Sequence, residues 1–84
     1  MITLEQATEW LQEYFQINKM FLFEKLTSEY SEWKNEVCVF NLEELNNKVY
    51  LFVNYDPSFK DSYYTFIVPN TKEEFFTVLN ILEK

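Results

Sequence analysis

The chain has 84 residues, with no histidine, glycine or arginine and a single cysteine, Cys38. Its 14 acidic residues against 7 lysines give a formal net charge of -7 at pH 7. This composition excludes histidine-based catalytic triads, zinc sites built from Cys and His, and glycine-rich phosphate loops, and it disfavours direct nucleic-acid binding.

The first predicted element is an amphipathic helix over residues 4–17. Thr3 and Gln6 have the spacing of a capping box. Six apolar side chains fall on one arc of the helix at 100° per residue. They are Leu4, Ala7, Trp10, Leu11, Tyr14 and Phe15.

The opposite side of this helix carries Glu5, Glu9 and Glu13, each four residues from the next and with no lysine among them. Like charges at this spacing destabilise a helix by about 0.2–0.5 kcal/mol per pair. A helix that serves only solubility more often alternates Glu with Lys. We therefore interpret the three glutamates as part of a binding surface, with an ordinary solvated face as the alternative.

Residues 20–27 are predicted to form a strand, although a helical continuation is the alternative. A second acidic block, residues 28–36, is predicted to form a loop or a short helical turn in which carboxylates alternate with Tyr30 and Trp33. Large aromatic residues are common interface anchors. An exposed Trp33 would be the first candidate for such an anchor, and the alternative is that Trp33 packs on the core.

Three further strands are predicted, at residues 36–42, 48–55 and 62–68, where apolar residues alternate with period two. The segment from Asp56 to Asp61 is rich in turn-forming residues, which predicts a turn that joins the last two strands as a hairpin. In the 48–55 strand, one side carries Val49, Leu51, Val53 and Tyr55, and the other carries Tyr50 and Phe52.

A second helix is predicted at 71–83, capped by Asn70 or Thr71. Phe75, Val78, Leu79 and Leu82 form its core stripe, with Phe76 and Ile81 as additional apolar surface. The element order α-β-β-β-β-α predicts an α+β fold of two layers, with an antiparallel sheet and both helices on one face. Aromatic residues on the second sheet face indicate a surface for a partner or a second subunit.

The length predicts a single domain, residues 1–84. Cys38 lies in the apolar run 37–40, which is typical of a buried thiol. We expect no signal peptide, because no basic segment is followed by an apolar stretch at the start. We expect a cytoplasmic protein without membrane contact, because no apolar run approaches the length of a membrane span.

These observations predict a binding protein rather than an enzyme, with no catalytic residue, no metal ligand and no cofactor. The leading hypothesis is a small acidic inhibitor that mimics nucleic acid and occupies a basic surface of another protein, as phage anti-restriction and anti-CRISPR proteins do. The alternatives are an immunity or antitoxin protein that neutralises one cognate toxin, and a homodimeric subunit of an assembly. The predicted partner-binding residues are the acidic and aromatic side chains of both blocks. They are Glu5, Glu9, Glu13, Glu29, Tyr30, Glu32, Trp33 and Glu36.

Overall fold

The computed structural model describes residues 2–55 and 63–82. They form two helices and five strands in the chain order α-β-β-β-β-β-α. The strands form one antiparallel sheet in which each pairs with the next along the chain. This is an α+β fold, as predicted. The elements are α1 (Leu4–Ile17), β1 (Phe23–Leu26), β2 (Tyr30–Lys34), β3 (Cys38–Leu45), β4 (Lys48–Tyr55), β5 (Tyr63–Ile67) and α2 (Lys72–Leu82).

The sheet has one strand more than the sequence predicted, because the second acidic block contains β2. The prediction of a loop or helical turn there was wrong. Along Tyr30–Lys34 the side chains alternate, and Ser31 and Trp33 are buried while the residues between them are not. The period of two was hidden because Ser31, a polar residue, occupies one of the two inward positions.

The other predicted elements are present with small shifts at their ends. The segment 20–27 contains a strand, β1, rather than a continued helix. The predicted turn from Asp56 to Asp61 lies outside the described residues. Neither helix in the described ranges is both long and apolar enough to cross a bilayer.

Both helices pack on the same face of the sheet, and the core lies between the two layers. Phe15 of α1 is central to it, with its ring centroid 5.6 Å from Trp33 on β2 and 5.0 Å from Phe40 on β3. On the other side of the core, Phe75 of α2 lies 6.3 Å from Phe66 of β5. The buried apolar residues are Ala7, Leu11, Tyr14, Phe15, Trp33, Cys38, Phe40, Leu42, Val49, Leu51, Val53, Val68, Phe75 and Leu79.

The two helices also contact each other directly. The Tyr14 ring meets the Phe76 ring edge-on at 5.4 Å, and the Tyr14 hydroxyl donates a hydrogen bond of 3.3 Å to Asn80 Oδ1. Phe76, which the sequence predicted as additional apolar surface of this helix, therefore packs against the core.

A chain without glycine must make its tight turns with other residues. Asn46 and Asn47, with φ of 52° and 65°, form the two-residue connection between β3 and β4. Asparagine is the non-glycine residue that best tolerates this left-handed region. Lys19, with φ of 54°, has no such advantage.

Lys19 ends α1 in a Schellman motif. Met20 N donates to the carbonyl of Phe15 at 2.8 Å, and Lys19 N donates to the carbonyl of Gln16 at 3.2 Å. At the other end of the helix, Thr3 Oγ1 accepts a hydrogen bond from Gln6 N at 3.1 Å. The position of Lys19 is the one that glycine usually occupies in this motif.

We predict that Lys19→Gly raises the free energy of unfolding by about 0.5–1 kcal/mol, because glycine adopts positive φ without the strain of a Cβ atom. The measurement is urea unfolding followed by circular dichroism. The matched control is Gln16→Gly within the last turn of α1, which should lower stability by about 0.5–1 kcal/mol. Equal destabilisation by both changes would contradict the conformation assigned to Lys19.

Candidate partner-binding site

The three glutamates of α1 do not have the same surroundings. Glu5 and Glu9 are exposed, whereas Glu13 Oε2 lies 3.0 Å from Lys72 Nζ at the start of α2. The lysine missing from the sequence of α1 is thus supplied by the second helix. Glu13 is partly neutralised by this pair, and the free negative charge of the helix is concentrated in its first half.

Glu5 and Glu9 lie beside a groove between α1 and the edge strand β1. The helices pack over the middle of the sheet, so β1 is exposed at all four residues. Leu26 faces the helix side of the sheet opposite Ser31, yet it remains 48% exposed. The concavity has a volume of about 340 Å³. Its lining is Leu4, Glu5, Thr8, Glu9, Leu26, Thr27, Ser28 and Ser31.

A second concavity, of about 490 Å³, adjoins the first and shares Leu4 and Ser28 with it. It lies at the end of the sheet where the β1–β2 turn approaches the end of β3. Its lining is Leu4, Ser28, Glu29, Tyr30, Glu43, Glu44 and Leu45. We call the two concavities together the acidic groove. Five carboxylates and no lysine line it.

The turn that carries Glu29 is held by Thr27. The Oγ1 atom of Thr27 accepts hydrogen bonds from the backbone N–H of Glu29 at 3.2 Å and of Tyr30 at 3.0 Å. The same hydroxyl donates to the Tyr30 carbonyl at 3.0 Å. These bonds fix the backbone of Glu29, which follows Ser28, a residue that both concavities share.

Two of the hydroxyl residues that line the groove, Thr8 and Ser31, are hydrogen-bonded to each other. Thr8 Oγ1 donates to the Leu4 carbonyl at 2.8 Å and lies 2.7 Å from Ser31 Oγ. Because the one hydroxyl proton of Thr8 is used toward Leu4, Ser31 must donate to Thr8. Both oxygens then have only acceptor capacity left. The groove therefore combines carboxylates, hydroxyl acceptors and three leucines, Leu4, Leu26 and Leu45.

The other predicted residues are dispersed. Tyr30 lines the acidic groove, and Lys25 Nζ lies 6.0 Å from its ring centroid. Glu32 faces the opposite side of the sheet, directly across from Lys25. Glu36 lies in the turn after β2 and lines a separate shallow concavity of about 390 Å³ with Phe21 and other residues.

Trp33 is 0% exposed and packs in the core, which answers the question left open by the sequence. It is not an interface anchor. Its indole Nε1 has no hydrogen-bond partner. Trp33 faces the core side of β2, where Phe15 covers it, whereas Tyr30 and Glu32 face the other side of the sheet.

Glu43 and Glu44 line the site but were not predicted from the sequence. The predicted strand ended at residue 42, but β3 continues to Leu45, which pairs with Lys48. The signal was present, because two adjacent asparagines between apolar strands favour a two-residue hairpin turn. That turn extends the strand and brings both glutamates to the groove.

Comparison with known proteins gives no match to a family model, a curated protein or a solved structure. Within residues 2–55 and 63–82, no three Cys, Asp or Glu side chains are grouped so that they could hold a metal ion. The site is therefore described by its geometry and charge alone.

We predict that Trp33→Ala lowers the free energy of unfolding by about 3–5 kcal/mol, because it removes a large side chain from a packed core. The measurement is urea unfolding. If that variant does not fold, Trp10→Phe leaves Trp33 as the only indole, and its emission should be blue-shifted and poorly quenched by iodide. Free quenching by iodide would contradict the burial of Trp33.

Proposed function

We propose that this protein binds another protein through the acidic groove and inhibits it by covering a basic surface. The observation that carries the proposal is the collection of Glu5, Glu9, Glu29, Glu43 and Glu44 along one continuous groove without a lysine. These residues come from three separate parts of the chain. Binding is favoured over catalysis, because the groove offers carboxylates and hydroxyl acceptors but no histidine or cysteine to act as base or nucleophile.

The lining of the groove suits a lysine or arginine side chain of the partner. Such side chains bury their methylene stems on apolar surface and keep the charged head in a polar setting. Leu4 and Leu26 offer the apolar surface, and Glu5 and Glu9 stand beside it. Hydrogen bonds from an ammonium or guanidinium group to carboxylates are among the stronger ones in proteins.

The charge of the whole molecule supports the same partner chemistry. A net charge of -7 steers a small protein toward cationic surfaces and away from nucleic acid itself. Basic surfaces of this kind are typical of proteins that bind nucleic acid. In its narrower form, the proposal is an anti-restriction or anti-CRISPR inhibitor in which carboxylates take the place of phosphates. Neutralisation of a cognate toxin would use the same groove.

We predict that the triple variant Glu5→Gln, Glu9→Gln, Glu29→Gln binds a fluorescein-labelled peptide rich in Lys and Arg about tenfold more weakly than the unchanged protein. The binding of the unchanged protein should fall as salt rises, because exposed charges are screened. The salt dependence of the triple variant should be flatter. Fluorescence anisotropy at low and high salt measures both effects.

The matched control is Glu24→Gln, Glu36→Gln, Glu74→Gln, which removes the same number of charges outside the groove. Each triple variant also removes one carboxylate from the first turn of a helix, Glu5 in α1 and Glu74 in α2. The control should bind within about twofold of the unchanged protein. Equal weakening by both variants would mean that net charge alone matters, and the groove would be excluded as the site. Capture from a host lysate with the same variants then identifies the partner.

A further inference from the structure

The face of the sheet opposite the helices, which we call the open face, is arranged as a grid. The strand register aligns its residues in rows that cross all five strands. The central row runs Lys25, Glu32, Asn41, Phe52, Thr65, and Asn41 in it belongs to the central strand, β3. Asn41 therefore lies at the middle of this face in both directions.

The open face carries several large apolar side chains, although it lies on the side of the sheet away from the core. Phe23 is 72% exposed and Ile67 is 48% exposed, while Tyr50 and Phe52 are partly buried with ring centroids 6.5 Å apart. A shallow concavity of about 320 Å³ lies near the centre. It is lined by Val39, Asn41, Glu43, Phe52 and Asn54.

The charge of the open face differs from that of the rest of the molecule. Of the five described lysines, Lys25, Lys34 and Lys48 face this side, with Glu32 and Glu43 as its two carboxylates. The other nine described carboxylates lie elsewhere, with only two lysines. Two copies of so acidic a chain would repel each other through most of their surfaces. The open face is the extended surface that two copies can bring together without accumulating negative charge.

One polar atom on this face lacks a partner. The side-chain oxygen of Asn41 is buried and accepts no hydrogen bond. Buried polar atoms in folded proteins are nearly always paired, so an unpaired one calls for an explanation. A primary amide is both donor and acceptor, so two amides related by a two-fold axis can exchange two hydrogen bonds.

We propose that the open face binds a second copy of this chain, face to face, about a two-fold axis that passes close to Asn41. The Asn41 amide turns about its Cβ–Cγ bond and pairs with the same amide of the other copy. Paired asparagines at the centre of an apolar contact fix the orientation of two chains in coiled coils, and they do the same here. The helices then form the two outer layers. The part of the acidic groove between α1 and β1 stays accessible in each copy, whereas Glu43 lies at the boundary of the two surfaces.

The size of the face is sufficient for a specific dimer. Strands about 4.8 Å apart that rise about 3.3 Å per residue give a five-stranded face of roughly 24 by 20 Å. Contact over most of it buries on the order of 1,000 Å² in total, which reaches the lower limit for a biological interface.

The test is sedimentation velocity of the full chain over a wide range of concentration. We predict a dimer of twice the 10.3 kDa chain mass, with an affinity that does not fall as salt rises. That behaviour is opposite to the salt response expected of the acidic groove, so the two proposals fail independently. A chain that stays monomeric at every concentration overturns the dimer.

Two matched pairs of variants locate the interface. Asn41→Asp should weaken the dimer by about tenfold or more, because it places two carboxylates at the axis. Asn80→Asp, the same change at an exposed position on α2, should have little effect, because the aspartate can still accept the hydrogen bond from Tyr14. Ile67→Lys should also weaken the dimer, whereas Ile81→Lys on α2, where the side chain is 68% exposed, should not. Loss of the dimer in Ile81→Lys but not in Ile67→Lys would overturn the proposal. Circular dichroism of each variant checks that it is folded.

Discussion

The whole structure depends on one constraint: a five-stranded sheet has two faces, and the described part of the chain covers only one of them with helices. The Phe15 ring lies 5.6 Å from that of Trp33 and 5.0 Å from that of Phe40, and these contacts attach α1 to the middle strands. Aromatic side chains bury large areas, so a small core can still supply enough apolar contact. β1 and the open face are exposed because neither helix covers them.

The acidic groove is a direct result of this incomplete cover. Because α1 packs over the middle of the sheet, Leu26 on the helix side of β1 remains without a helix above it. The groove beside it is then lined by the first half of α1, which carries Glu5 and Glu9, and by the β1–β2 turn, which carries Glu29. A helix centred one strand nearer the edge would remove the groove without any change in sequence charge.

The two proposed surfaces differ in their chemistry and meet at Glu43, which lines both. The acidic groove gathers carboxylates without lysine, and the open face gathers lysines with aromatic side chains around Asn41. A dimer formed through the open face would direct two acidic grooves outward. Two linked grooves can bind a partner that has repeated basic sites more tightly than either alone, if their spacing matches.

Local periodicity in the sequence was enough to predict both helices, their caps and the α+β class, because each depends on residues within a few positions of one another. The alternation in residues 48–55 likewise predicted that Val49, Leu51 and Val53 share one side of the strand, and this is the side that enters the core. Strand β2 escaped prediction because Ser31 replaced an apolar residue at an inward position, and only its bond to Thr8 on α1 explains a buried hydroxyl there.

The residues of the site could not be predicted in the same way. A sequence shows which residues are charged, but it does not show which surface of the folded chain they share. The acidity of the first helix and of residues 28–36 was evident. Tertiary packing, however, paired Glu13 with Lys72, buried Trp33, and brought Glu43 and Glu44 to the groove. The sequence by itself determined the elements and the sign of the charge. Only the tertiary structure decided which carboxylates share one surface, because that depends on contacts between residues far apart in the chain.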